Sequence, residues 1–255
     1  MRMNIIPLPA FRDNYIWLIH DDRHAVAVDP GDASPVLDYL SAHGLTLCAI
    51  LVTHHHADHV GGLPALLEAC PVPVFGPASE RIPGVSNPLS DGDSVTLPGL
   101  GLTFSVLDVA AHTAGHIAYH APGLLFCGDT LFSAGCGRLF EGTPEQLEKA
   151  LTRLAALDGD TRVYCTHEYT LSNLAFARAA DPDNPERDRY AAHCETLRAH
   201  GRPTLPSTIA LEKDINPFLR TNTPSVLKAV AQHTGKTPES ALACLRELRA
   251  WKDVF

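Results

Sequence analysis

Four histidines and a carboxylate fall within the seven residues Thr53-His54-His55-His56-Ala57-Asp58-His59. Imidazole and carboxylate are the donors of a borderline divalent cation. The apolar run Ala49-Ile50-Leu51-Val52 ahead of the cluster reads as a buried strand, and Gly61-Gly62 behind it lets the chain turn into a helix near Val60 to Ala69. In an extended segment side chains two apart point the same way, so His54 and His56 converge on one point. Asp58 and His59, where the chain bends toward the helix, face a second point close by. A histidine-rich loop without fixed geometry would need neither the strand nor the glycines.

A metal site needs more donors than one loop supplies, and suitable residues recur at other strand ends. His112 opens His112-Thr113-Ala114-Gly115-His116 after the strand-like Leu102 to Leu107, Asp129 ends Leu124-Leu125-Phe126-Cys127-Gly128, and His167 follows Val163-Tyr164-Cys165-Thr166. Strand ends are where open sheets build their sites. Taken singly, each is an ordinary polar residue at a sheet edge; with the histidine cluster they form a specific pattern.

That pattern resembles the metallo-β-lactamase superfamily: His-x-His-x-Asp-His at 54–59, then His112, then Asp129 after Cys127-Gly128, then His167 in Thr166-His167-Glu168-Tyr169. Asp13-Asn14-Tyr15, Gly135-Cys136-Gly137-Arg138, Asn216-Pro217-Phe218-Leu219-Arg220 and Arg249-Ala250-Trp251-Lys252-Asp253 narrow the resemblance, over essentially the full chain, to the glyoxalase II family of hydroxyacylglutathione hydrolases. It implies one metal held by His54, His56 and His112, a second held by Asp58, His59 and His167, and Asp129 bridging them. Seven donors exceed the three protein ligands of a mononuclear catalytic zinc and suit two open sites that share a carboxylate. Zinc is the expected metal, and iron or manganese accepts the same donors.

The implied reaction is hydrolysis of S-(2-hydroxyacyl)glutathione, typically S-D-lactoylglutathione, to glutathione and a 2-hydroxy acid, the second step of glyoxalase detoxification of methylglyoxal. A metal-bridging hydroxide, flanked by Asp58 and Asp129 as catalytic groups, attacks the thioester carbonyl; a metal lowers the pKa of its water to about 7. The leaving thiolate, whose acid has a pKa of about 8.5, departs with little protonation. Arg249 and Lys252 align with residues that hold the glycine carboxylate of glutathione, and Tyr169 with a tyrosine at the glutathione. Arg138 stands where some members carry lysine and Phe140 where some carry tyrosine, so a hydroxyl contact to the peptide part is lost or replaced. The alternative of the same fold is an iron-dependent glutathione persulfide dioxygenase with one iron, against which the tail bearing Arg249 and Lys252 speaks. A non-enzymatic metal store has nothing else to recommend it.

Strands interleaved with helices up to about residue 170 predict an α/β fold, the αββα sandwich that the resemblance implies, with a helical C-terminal region. The expected division is a catalytic domain over 1–170 and a substrate-binding one over 171–255. Val163 to Cys165 reads as the last strand. Ser34, Thr223 and Thr237 read as helix caps, Thr143-Pro144-Glu145-Gln146 as a capping box, and Pro238 to Lys252 as the last helix. Arg246, Arg249 and Lys252 share a spacing of three that suits a basic patch. Residues 1–170 carry 8 Lys plus Arg against 19 Asp plus Glu, a net of −11, and 171–255 carry 12 against 10, or +2, summing to the chain's −9. So acidic a catalytic part repels a nucleic-acid backbone. The start lacks the apolar core of a secretion signal, no run reaches membrane-spanning length, and the seven scattered cysteines suit reduced thiols. A cytoplasmic monomer acting on a small glutathione thioester is the expectation.

Overall fold

In the computed structural model of the chain, which describes residues 3–255, two six-stranded sheets are stacked. Met1 and Arg2, the first positions of the expected 1–170 span, lie outside the described residues. The first sheet runs in order β1 (Asn4–Ala10), β2 (Asn14–His20), β3 (His24–Val28), β4 (Thr46–Leu51), β5 (Val74–Pro77) and β6 (Asn87–Leu89), antiparallel to β3 and parallel from there. In the second, β7 (Ser94–Thr96), β8 (Thr103–Asp108), β9 (Ile117–Ala121) and β10 (Leu124–Gly128) are antiparallel. After a hairpin of β11 (Leu131–Phe132) and β12 (Gly135–Cys136), β13 (Arg162–Cys165) joins β10 in parallel and β14 (Ser207–Thr208) closes the edge.

The apolar runs follow from this layering. β2 is buried at every position: Tyr15, Trp17 and Ile19 enter the core shared with Phe104, Val106 and Phe126 of the second sheet, while Ile16 and Leu18 meet α1 (Ser34–His43) and α3 (Leu63–Ala69). A strand covered on both faces reads as continuous apolar sequence rather than as alternation. Leu147, Leu151 and Leu154 of α4 (Pro144–Ala155) complete the helix, sheet, sheet, helix stack, and the capping box opens α4 with both of its bonds formed. Two aromatic side chains tie the sheets together where β4 and β13 end. Trp17 Nε1 donates to the Cys165 carbonyl at 2.9 Å and the Tyr119 hydroxyl to the Val52 carbonyl at 2.8 Å.

The single helix expected after the histidine cluster is two, α2 (Ala57–Val60) and α3. Gly61 and Gly62 break it because they press on the turn after β3: a Cβ would lie 2.8 Å from the Gly31 carbonyl at Gly61 and 2.6 Å from the Pro30 carbonyl at Gly62. Asp58 and His59 therefore sit in a helical turn capped by extended His56, not in a bend. Ser34 is the first residue of α1 rather than its cap, and its N–H is taken by the Asp32 carboxylate at 2.9 Å.

Past β13 come α5 (Thr170–Ala180), α6 (Pro185–Ala199), then β14, which makes Val163 to Cys165 the penultimate strand. α7 (Ile209–Ile215), α8 (Pro224–Thr234) and α9 (Ala241–Val254) follow. α9 starts later than Pro238, and Ser240, not Thr237, caps it. Thr223 precedes α8 as expected, but its hydroxyl donates backward to the Arg220 carbonyl instead of capping. No helix of the described residues is long and apolar enough to cross a membrane.

Candidate metal centre and substrate pocket

The ends of β4, β10 and β13 and the turn after β8 bring His54, His56, Asp58, His59, His112, Asp129 and His167 to one edge of the sandwich. His54 Nε2 and His112 Nε2 lie 3.2 and 3.1 Å from His56 Nδ1. Asp58 Oδ2 lies 3.5 Å from His59 Nε2 and 3.4 Å from His167 Nε2. Asp129 stands between the groups, with Oδ1 3.5 Å from His59 Nε2 and Oδ2 3.4 and 3.3 Å from the Nε2 atoms of His112 and His167.

The protons on these rings are fixed from behind. Asp29 takes the Thr53 hydroxyl proton at 2.7 Å, so Thr53 Oγ1 accepts from His54 Nδ1 at 3.0 Å. His59 Nδ1 faces Asp29 at 3.1 Å, His167 Nδ1 faces Asp13 at 2.9 Å, and His112 Nδ1 faces the Arg138 carbonyl at 2.7 Å. These partners only accept, so each Nδ1 is the donor, and in the neutral ring Nε2 keeps its lone pair. Lone pairs and carboxylate oxygens thus converge, an arrangement that repels itself without a cation. Donors about 2.05 Å from a tetrahedral zinc are roughly 3.3 Å apart, which the distances match. His59 Nε2 and Asp129 Oδ1 are buried with no hydrogen-bond partner. The donor set fits divalent metal.

Charge follows the same logic. Burial, then His59 and His116, drive His54 well below the ordinary imidazole range. Burial pushes His116 down to about 3, with His112 adding to it, so His116 is neutral and its Nε2 accepts the Asp129 N–H at 3.1 Å. Burial opposes charge on His59 too, but Asp129 and Asp29 outweigh it and hold the ring well above its usual range. Asp129 is held well below the carboxylate range, its burial overcome by His59 and His167. His59 and Asp129 thus each favour the charged form of the other, and a cation bound here would take over that balancing charge.

A cavity of about 590 Å³ opens from the cluster, with Arg138, Phe140, Tyr169, Arg249 and Lys252 in its wall. The Tyr169 ring stacks on His167, centroids 4.7 Å apart and planes within 4°. Phe140 is 61% exposed and sets its edge against His56 and His112. Lys252 Nζ is 3.4 Å from the Ser172 carbonyl, and burial, then Arg249, lower its pKa. Arg249 is buried: Nη1 donates to the Cys136 carbonyl at 2.9 Å and Nη2 to Asp253 at 3.0 Å, so it offers charge rather than a free fork. The same Asp253 oxygen takes Arg138 Nε at 3.1 Å. Arg246 does not join this wall; it turns to Glu145 on α4 at 2.9 Å, so the cationic patch is Arg138, Arg249 and Lys252.

Sequence reasoning missed Asp29 and gave no role to Asp13 or to Asn14, whose Nδ2 donates to Asp58 Oδ2 at 2.9 Å. In the sequence Asp29-Pro30-Gly31 reads as a turn, and in the fold Asp29 sits at φ 52°, in the left-handed region. It closes β3 as the other donors close their strands, and that position was its signal.

A family model described as the metallo-beta-lactamase superfamily matches residues 10–167, and one described as the hydroxyacylglutathione hydrolase C-terminus matches 168–255. The hydroxyacylglutathione hydrolase of Nitrosomonas eutropha is 48% identical over 253 residues, covering 99% of both chains. That of Photobacterium profundum is 54% identical over 255 residues, covering 99% of this chain and all of its own. Among solved structures, ETHE1 from Myxococcus xanthus superposes with a TM-score of 0.66 at 27% identity, over 99% of this chain and 100% of that one.

Proposed function

This chain belongs to the hydroxyacylglutathione hydrolases of the metallo-beta-lactamase superfamily, and from that membership we propose its reaction: hydrolysis of S-(2-hydroxyacyl)glutathione, typified by S-D-lactoylglutathione, to glutathione and a 2-hydroxy acid. The cofactor is divalent metal. The proposed complement is two ions, zinc first among them, one held by His54, His56 and His112, the other by Asp58, His59 and His167, with Asp129 shared. When bound, they ionise a water at neutral pH and polarise the acyl carbonyl.

The chain's own groups do the rest. Asp29, Asp13 and the Arg138 carbonyl hold the imidazole protons on the outer nitrogens, and Asn14 keeps Asp58 turned to His59 and His167. Lys252 and Arg138, backed by the buried charge of Arg249, hold the anionic peptide of the substrate. Tyr169 packs beside it, and Phe140 offers a ring but no hydroxyl. The thiolate leaves without a general acid. In this reading residues 1–170 carry the chemistry and 171–255 lend Arg249 and Lys252.

The observation that carries the proposal is the convergence of seven donor side chains, with protons held away, beside a cationic wall. Elemental analysis beside a thioester hydrolysis assay tests it: two ions per chain are expected, with activity lost on chelation and in His54→Ala and Asp129→Ala. A fully active chelated enzyme refutes it. Oxygen uptake with glutathione persulfide, at one iron per chain, would instead favour a dioxygenase.

A further inference from the structure

His55 lies between two proposed ligands and belongs to neither donor set. Its ring sets its edge against that of His56, centroids 5.1 Å apart, and comes to rest between two carboxylates. Nδ1 is 3.0 Å from Glu80 Oε2 and Nε2 is 3.3 Å from Glu141 Oε1. The other oxygen of each carboxylate holds the segment that follows His112. Glu80 Oε1 accepts the Gly115 N–H at 3.1 Å and the Thr113 hydroxyl, and Glu141 Oε2 accepts the Ala114 N–H at 2.7 Å. The fit is close, since a Cβ on Gly115 would stand 2.6 Å from Glu80 Cγ. The Glu80 side chain is 4% exposed and its Oε2, buried, accepts no hydrogen bond, so its charge is met by the bonds to Oε1 and by the imidazole pressed against Oε2.

We propose that His55, Glu80 and Glu141 form a clamp that positions His112 against His54 and His56. The ring ties the loop bearing His54 and His56 to the loop bearing His112 through carboxylates from two further loops, and so sets the spacing of the three imidazoles. His55 is a positioning residue. Its effect on metal rests on the binuclear reading above, whereas its effect on the loop does not.

The test is His55→Ala, compared with the native chain first without metal and then loaded with zinc. In the metal-free protein, hydrogen exchange at the Ala114 and Gly115 amides accelerates. On titration against a chelator, one of the two ions binds about 10–100-fold more weakly, as loss of an outer partner of a ligand does, while the other is unchanged. The kcat falls and KM for the thioester stays, since the cationic wall is untouched. His55→Gln, which keeps one donor, restores part of the loss. Lys236→Ala, which breaks only an exposed pair with Glu239, controls for general destabilisation and moves none of these readouts. Should His55→Ala not fold, Glu141→Gln, which retains an acceptor for the Ala114 N–H, shows the same weaker ion. Native exchange rates at Ala114 and Gly115, or two ions of native affinity in both variants, overturn the clamp. A native chain that binds no second ion refutes the binuclear reading, and exchange in the metal-free protein then decides the clamp by itself.

Discussion

Asp29 serves two rings at once, one directly and one through Thr53, so replacing it disturbs both proposed metal positions. Asp29→Asn keeps the size but places a donor or a weaker acceptor opposite His59 Nδ1. Metal affinity is expected to fall about 10–100-fold, read by competition with a chelator. Lys252 gives a second prediction at this scale. In the proposed role its charged form binds the anionic substrate, and burial lowers its pKa, so affinity would be present at neutral pH and lost on the alkaline side earlier than an ordinary lysine would lose it. Lys252→Met raises KM severalfold with little change in kcat, and flattens that alkaline limb in a KM profile against pH. The histidine donors were legible because they crowd into one stretch or close an apolar strand. Asp29 and Glu80 were not: one reads as a turn residue, the other as a charge in a Pro- and Gly-rich loop, and only the folded chain brings them against an imidazole.

Between α4 and the sheets, the capping box at Thr143 is local and exposed. Thr143→Ala should cost about 1 kcal/mol in denaturant unfolding and leave turnover intact. Glu212 on α7 is different: fully buried, it accepts from the Ala134 N–H at 2.8 Å and Asn216 Nδ2 at 3.1 Å, and burial raises its pKa. A carboxyl with a raised folded-state pKa contributes stability that is complete below its unfolded value, about 4.5, and is lost as pH rises through the folded one. Unfolding free energies should therefore show Glu212→Gln gaining on the native chain between acid and neutral pH. The elements that escaped the sequence are of this kind. α7 turns a glutamate inward beside Ile209 and Ile215, which spoils the amphipathic stripe. β6, β11, β12 and β14, at two or three residues, are too short to display a period, and β14 pairs with a strand about 45 positions earlier.

The core is shared across the molecule. Phe176, Val226, Leu245 and Leu248 from the C-terminal helices pack in one cluster with Leu125, Val163 and Trp17 of the sheets. The two tryptophans, Trp17 and Trp251, lie in the two parts of the chain. Fluorescence of Trp17 in a Trp251→Phe background, set beside far-UV circular dichroism, should give one coincident unfolding midpoint; separated midpoints would mean that the helices melt alone. His54, His56, Asp58 and His59 hang from the first sheet and His112, Asp129 and His167 from the second. Cations held as proposed, by donors from both sheets, would act as rivets across the seam. A ligand present at 100 times its dissociation constant adds about 2.7 kcal/mol to the folded state. Unloaded copies would then be the ones that open and are degraded first, so that the supply of the ion governs how long each polypeptide survives as well as how fast it works.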